Sequence, residues 1–185
     1  MKPVKTKGDK SHLTAIPRTK PSAPMRWLVS QNMLPTSCRT LDYGCGKGFD
    51  AEYYDLDKYD PCYYPENPKG RYDLITCNYV LNTIPNCFDR RCVLTRIDSL
   101  LHESGWAFIT VRADKKSLVG KTQRGTWQGW IELDLTVVQA TSHYRIYKMF
   151  RGESNCTITA RTQFGTVKKT LTDDLTNQDH QLCLK

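Results

Sequence analysis

Apolar residues in this chain of 185 residues fall into short runs broken by proline, glycine and charge. The strongest periodic stretch is 88–103, where Val93, Leu94, Ile97, Leu100 and Leu101 recur at spacings of one, three, three and one. That spacing lays one apolar stripe along a helix. Arg90, Arg91, Arg96 and Asp98 fall off the stripe, and Gly105 is placed to cap the helix C-terminus. Residues 106–111 are apolar apart from Thr110 and rich in β-former side chains, as a buried strand requires.

Ahead of these, Ser22 and Pro24 mark a helix start, with Ser as N-cap and Pro in the first turn. The helix is expected over 23–33, with Met25, Trp27, Leu28 and Met33 on its buried face and Pro35 ending it. A strand over 37–41, a short helix over 50–56, a strand closing at Asp60-Pro61 and a strand over 71–77 follow. Leu81 and Asn82 either extend the region after that strand or begin the next helix. Residues 143–150 read as a closing strand. Cys156, Ile158 and Ala160 alternate with Thr157, Thr159 and Arg161, the period of a half-buried strand turning at Gly165.

Strands alternating with helices predict an α/β fold: a Rossmann-like, open, mostly parallel sheet with flanking helices, here a compact variant. Three regions are expected: a flexible basic arm over 1–22, the main domain over 23–151, and a partly β extension over 152–185 with a frayed end. No apolar run approaches the ~20 residues of a membrane span, and the basic N-terminus lacks the apolar segment of a signal peptide. The eight cysteines form no C-x-x-C pair, and the four histidines stand apart from them. No metal site or disulfide framework is expected, and reduced thiols in a cytoplasmic protein are.

Charge is unevenly placed. Net charge is +7 over residues 1–40, −4 over 41–114 and +5 over 115–185. Two readings stand: basic flanks that meet a polyanion such as DNA or RNA, or solvated tails. The same pair of readings applies to Lys115, Lys116, Lys121 and Arg124 beside Trp127 and Trp130. Aromatics next to cations suit a stacked base, and equally suit a loop folded onto its own core.

The chemistry concentrates at Asp42-Tyr43-Gly44-Cys45-Gly46-Lys47-Gly48, which reads D-x-G-x-G-x-G between a strand and a helix. Glycine there permits backbone angles closed to other residues and lets a ligand lie on the main chain. The spacing departs from the G-x-G-x-x-G of dinucleotide sites. A carboxylate at Asp42 suits an ammonium group and repels a pyrophosphate. An acid at the tip of the next strand suits a ribose diol. Asp60 is the candidate, with Asp55 and Asp57 as rivals. Asn78 and Tyr79 end the following strand, where an open α/β sheet borders its ligand crevice.

This residue order resembles motif I of the class I S-adenosylmethionine (SAM)-dependent methyltransferases. The resemblance covers residues 36–114, more weakly to about 150. More narrowly, LDYGCGKGFD, YDPCYYP, NYVLN and RGTWQ, in this order, resemble the methyltransferases associated with DNA phosphorothioation. The resemblance implies SAM as cofactor and methyl transfer as activity. It implies Asp42, Tyr43, Gly44, Cys45, Gly46 and Gly48 around the methionine part and Asp60 at the ribose. Asn78 and Tyr79 are implied near the transferred methyl, as cofactor contact and catalytic candidates.

The acceptor is open. The D/N-P-P-Y/F/W of base-amino methyltransferases is replaced by Asn78-Tyr79-Val80-Leu81. The only Pro-Cys, Pro61-Cys62, lies in the wrong element for a cytosine-C5 nucleophile. Cys77 lies near the right place without the proline, and His143 is a remote candidate base. SAM chemistry other than methyl transfer, and a binding module without turnover, remain alternatives.

Overall fold

The computed structural model describes residues 10–114, 119–162 and 165–169. Its main sheet is organised on β1 (Thr40–Tyr43), which pairs in parallel with β2 (Asp57–Tyr59) and with β3 (Tyr72–Asn78). β3 pairs in parallel with β4 (Leu101–Arg112). The remaining strands, β9 (Tyr144–Phe150) and β8 (Thr136–Ala140), add on as antiparallel neighbours. The order is β2-β1-β3-β4-β9-β8.

Side-chain alternation along the strands separates two cores. Leu74 and Phe108 face α1 (Ala23–Ser30) and pack with its Met25 and Leu28. Ile75 and Ile109 face the opposite way, onto Leu94, Ile97 and Leu100 of α3 (Cys87–Leu100). Burying each of these large apolar side chains contributes about 1.5–3 kcal/mol. The short α2 (Phe49–Tyr53) follows the glycine turn.

The chain after β4 departs from a simple strand–helix alternation. A two-stranded hairpin, β5 (Gly120–Lys121) with β6 (Trp127–Gln128), comes first. An antiparallel sheet then forms from β7 (Trp130–Leu133), β10 (Ile158–Thr162) and β11 (Gly165–Lys169), in the order β11-β10-β7. Ile131, Leu133, Ile158 and Ala160 of this sheet join the core on the α3 side. Among the described residues, no helix is long and apolar enough to cross a membrane.

Several expected boundaries move. α1 opens as expected, with the Ser22 hydroxyl accepting from the Met25 amide, but it stops at Ser30, and Asn32 takes a left-handed φ of 54° soon after. β1 begins later than expected and includes Asp42 and Tyr43, because β2 and β3 hold it from both sides. α3 ends at Leu100, not at Gly105. Its last carbonyls are met by arginines instead: Arg71 donates to Ser99 and Leu101, and Arg151 to Leu101 at 2.6 Å. Gly105 lies inside β4, where a Cβ would stand 2.9 Å from the Tyr72 carbonyl oxygen, so close strand approach explains it.

Arg90 and Arg91, expected off the buried stripe, are 3% and 5% exposed. Arg91 donates to the carbonyls of Ser154 and Cys156, and Arg90 to that of Ile84 at 2.9 Å. Cys38, Cys45, Cys62, Cys77, Cys87 and Cys156 are free, while Cys92 is disulfide-bonded, against the expectation of reduced thiols throughout. A disulfide between residues far apart in sequence leaves no local C-x-x-C signature. The expected frayed end, Lys115, Lys116 and the first part of the basic arm lie outside the described residues.

Candidate active site

Strand register builds the site. Asp42 on β1 is the cross-strand neighbour of Thr76 on β3, and Asn78 on β3 is that of Thr110 on β4. Thr76 donates its hydroxyl to Asp42 Oδ1 at 2.9 Å, and Thr110 donates its own to Asn78 Oδ1 at 2.7 Å. Two polar pairs thus stand side by side at the C-terminal edge of the sheet. Asp42 is 3% exposed, and burial pushes its carboxyl up to about 7. The Thr76 hydrogen bond and the Arg18 charge act in the other direction, while Asp50 and Asp60 add to the rise.

The glycine turn runs directly out of this edge. Gly44, Gly46 and Gly48 all take positive φ, at 76°, 56° and 79°. A Cβ on Gly44 would stand 2.3 Å from Val80 Cγ2, and one on Gly48 would stand 2.7 Å from the Tyr64 hydroxyl oxygen. Glycine is therefore demanded here both by backbone angle and by close approach. The Gly44 and Cys45 amides donate to the Tyr59 carbonyl at 2.7 and 3.1 Å, which ties the turn to the end of β2.

Asp60 sits beside this turn, whereas Asp55 and Asp57 lie at the start of β2, the far end of the strand. Asp57 is also ion-paired with Arg39 at 2.9 Å. Asp60 is partly spent on the backbone. Its Oδ1 accepts from the Cys62 and Tyr63 amides at 2.8 and 3.0 Å, and its Oδ2 from the Gly46 amide at 3.1 Å. A carboxylate offers about four acceptor positions, so one on Oδ2 is left, enough for one hydroxyl rather than two.

Tyr43 turns its side chain into the core, its ring 4.8 Å from that of Tyr59, and burial raises its hydroxyl pKa. Only its main chain reaches the turn. The Cys45 thiol is pushed up by burial, with the Asp42 and Asp60 charges adding to the rise. Asn78 Nδ2 is buried and has no hydrogen-bond partner among the described residues. Tyr79 holds a left-handed φ of 62°, a strained state for a bulky side chain, and burial raises its hydroxyl to about 12. Val80 follows, and Leu81–Thr83 form a turn of 3-10 helix in which Asn82 pins the Gly129 loop at 2.7 Å.

The other candidates separate from this cluster. Cys77 is fully buried, and its thiol is raised by burial, which does not suit a nucleophile. His143 is exposed in the turn before β9, its carbonyl accepting from the Ala113 amide at 2.8 Å. Trp127 lies against Gly129 on one side, with the Arg90 guanidinium 5.4 Å from its ring centroid. Trp130 is 6% exposed beneath Arg161. These rings are folded onto their own surroundings. Thr76, Thr110 and Val80 were missed as site residues. Thr76 is two residues before Asn78, so the strand period alone places both on one face.

The methyltransferase-domain family matches residues 15–167. The chain belongs to that family. Its fold is that of the class I SAM-dependent methyltransferases. It is similar to the 1,6-didemethyltoxoflavin-N1-methyltransferase of Burkholderia thailandensis, solved with 1,6-didemethyltoxoflavin and S-adenosylhomocysteine. The two are 17% identical over 70% of this chain and 78% of that one, with a TM-score of 0.51. The N-methyltransferase NodS from Bradyrhizobium japonicum WM9, in complex with S-adenosylhomocysteine, is 11% identical over 78% of this methyltransferase-family chain and 98% of its own, with a TM-score of 0.48. No curated protein sequence matches the chain.

Proposed function

We propose that this protein transfers a methyl group from SAM to an acceptor nucleophile. The observation that carries the proposal is the buried Asp42 carboxylate at the mouth of three left-handed glycines. A buried carboxyl held near neutrality and flanked by open main chain fits a ligand that brings its own ammonium group. The orphaned Asn78 Nδ2 adds an unused donor at the same edge.

In this reading Asp42 binds the ammonium of the methionine part, and the main chain of Gly44, Cys45, Gly46 and Gly48 lies against the rest of it. Asp60 accepts one ribose hydroxyl. Asn78 and Tyr79 border the reacting methyl and orient the acceptor, with Thr110 fixing the Asn78 amide. Bound SAM supplies an electrophilic methyl on a sulfonium. The chain's residues then need chiefly to align the acceptor and exclude water.

The basic flanks support a nucleic-acid acceptor, and with it the narrower resemblance to the enzymes associated with DNA phosphorothioation. The indole rings of Trp127 and Trp130 add nothing to that preference, since both are covered. Tritiated SAM offered with DNA, RNA, protein and small-molecule fractions tests the proposal. Label in one fraction, with S-adenosylhomocysteine as co-product, is the expected result. Methylthioadenosine as product, or no label in any fraction, would overturn it.

A further inference from the structure

Residues 10–20 run across the site edge as a strap. Lys10 reaches the hairpin, its Nζ 3.6 Å from where a Gly125 Cβ would stand. The His12 carbonyl accepts from the Tyr63 hydroxyl at 3.2 Å. The Ala15 methyl sits 3.1 Å from where a Gly46 Cβ would stand, so the strap lies on the glycine turn itself. At its far end the buried Ser22 amide donates to Asp50 Oδ1 at 2.8 Å, a firm anchor on α2. Arg18 lies between the Ala15 contact and this anchor. It is half-buried, and its charge acts on both Asp42 and Tyr79.

A cation on the strap and an anion at the end of β1 thus face the same small space. An α-amino-acid group carries the opposite pair, an ammonium and a carboxylate on one carbon. We propose that Arg18 is the positioning residue for the carboxylate of the cofactor's amino-acid end, and that residues 10–20 form a lid closed by that contact. The inference rests on the SAM reading above. Asp42 takes the ammonium, Arg18 takes the carboxylate, and the Ser22–Asp50 anchor is the fixed end about which the strap opens. The outward-facing Leu13 and Ile16, 49% and 56% exposed, leave the strap's outer surface uncommitted to the core.

Calorimetry on the full chain with two probes tests this. S-adenosylhomocysteine carries the amino-acid end, and 5′-methylthioadenosine lacks it. Arg18→Ala should weaken S-adenosylhomocysteine at least about tenfold, the weight of a charge-assisted hydrogen bond, and leave methylthioadenosine unchanged. Arg18→Lys should recover part of the loss. Retained methylthioadenosine binding also reports that the variant is folded. S-adenosylhomocysteine should slow tryptic cleavage after Lys10 and Lys20 in the parent and much less in Arg18→Ala. Parent binding that survives Arg18→Ala at full strength would overturn the Arg18 assignment and leave the methyltransferase reading standing. Equal loss of both probes in a variant that melts like the parent would overturn it as well. No uptake of either probe by the parent would remove the functional reading, and this inference with it.

Discussion

Thr76 donates its hydroxyl to Asp42 across the β1–β3 register at 2.9 Å, and burial still holds that carboxyl near pH 7. Burial outweighs the hydrogen bond, so the unliganded protein keeps Asp42 largely protonated below about 7. The sign of the pH dependence follows. An acid whose pKa is raised on folding stabilises the fold most below its unfolded value of 3.8, and that stability is lost as pH rises through about 7. Thermal melts of the unliganded protein should therefore lose about 1.4 kcal/mol per pH unit between roughly 5 and 7. A ligand ammonium favours the charged form, so stabilisation by S-adenosylhomocysteine should grow from pH 5.5 to pH 8. Asp42→Asn should flatten both trends. An unchanged pH profile in that variant would show that another group titrates.

Gly44 is the least replaceable position of the turn. An alanine there meets a φ of 76° and Val80 Cγ2 at 2.3 Å. The left-handed backbone costs about 1–2 kcal/mol and the overlap about 1–3. Gly44→Ala should lower stability by about 2–4 kcal/mol in urea titrations. Gly44→Ala with Val80→Ala removes the overlap and leaves the backbone cost, so the double variant should regain about half.

The glycine turn could be read from the chain because its demands are local: three positive φ values within five residues leave little choice of side chain. The α3 stripe of Leu94, Ile97 and Leu100 was readable for the same reason, since it lies within two turns of one helix. Arg91 was not. Its burial depends on the Ser154 and Cys156 carbonyls, 63 and 65 residues away, and no periodicity records such partners. Gly105 misled because glycine serves both helix ends and close strand contacts, and only the neighbouring Tyr72 carbonyl distinguishes them. The path of the strap over Gly46 was hidden because Ala15 is an unremarkable residue whose small size matters only against that turn.

Asn78 separates catalysis from stability. Its Oδ1 is committed to Thr110, while its Nδ2 is free of partners among the described residues. Asn78→Ala should lower kcat/KM about 10–100-fold, the equivalent of about 1.4–2.8 kcal/mol, and cost about 1 kcal/mol of stability for the lost Thr110 bond. Thr110→Val should reproduce the stability loss with a smaller kinetic one, because the amide stays in place with less restraint. Equal kinetic losses in both variants would mean that the amide acts only through its orientation.

Arg91 decides whether the chain beyond residue 151 folds as a separate extension. Its guanidinium bonds the Ser154 and Cys156 carbonyls from within α3, and β10 pairs with β7 along four residues, Ile158 with Leu133 through Arg161 with Trp130. We propose that the β7–β10 sheet and the main sheet unfold together. Arg91→Met keeps the apolar stem and removes the donors, leaving two carbonyls to find other partners. It should cost about 2–3 kcal/mol and shift one cooperative urea transition to lower concentration when followed by fluorescence and by circular dichroism. A second transition, with the first unmoved, would instead mark residues 152–169 as an independent unit, since a separable segment cannot pass its loss of stability to α3.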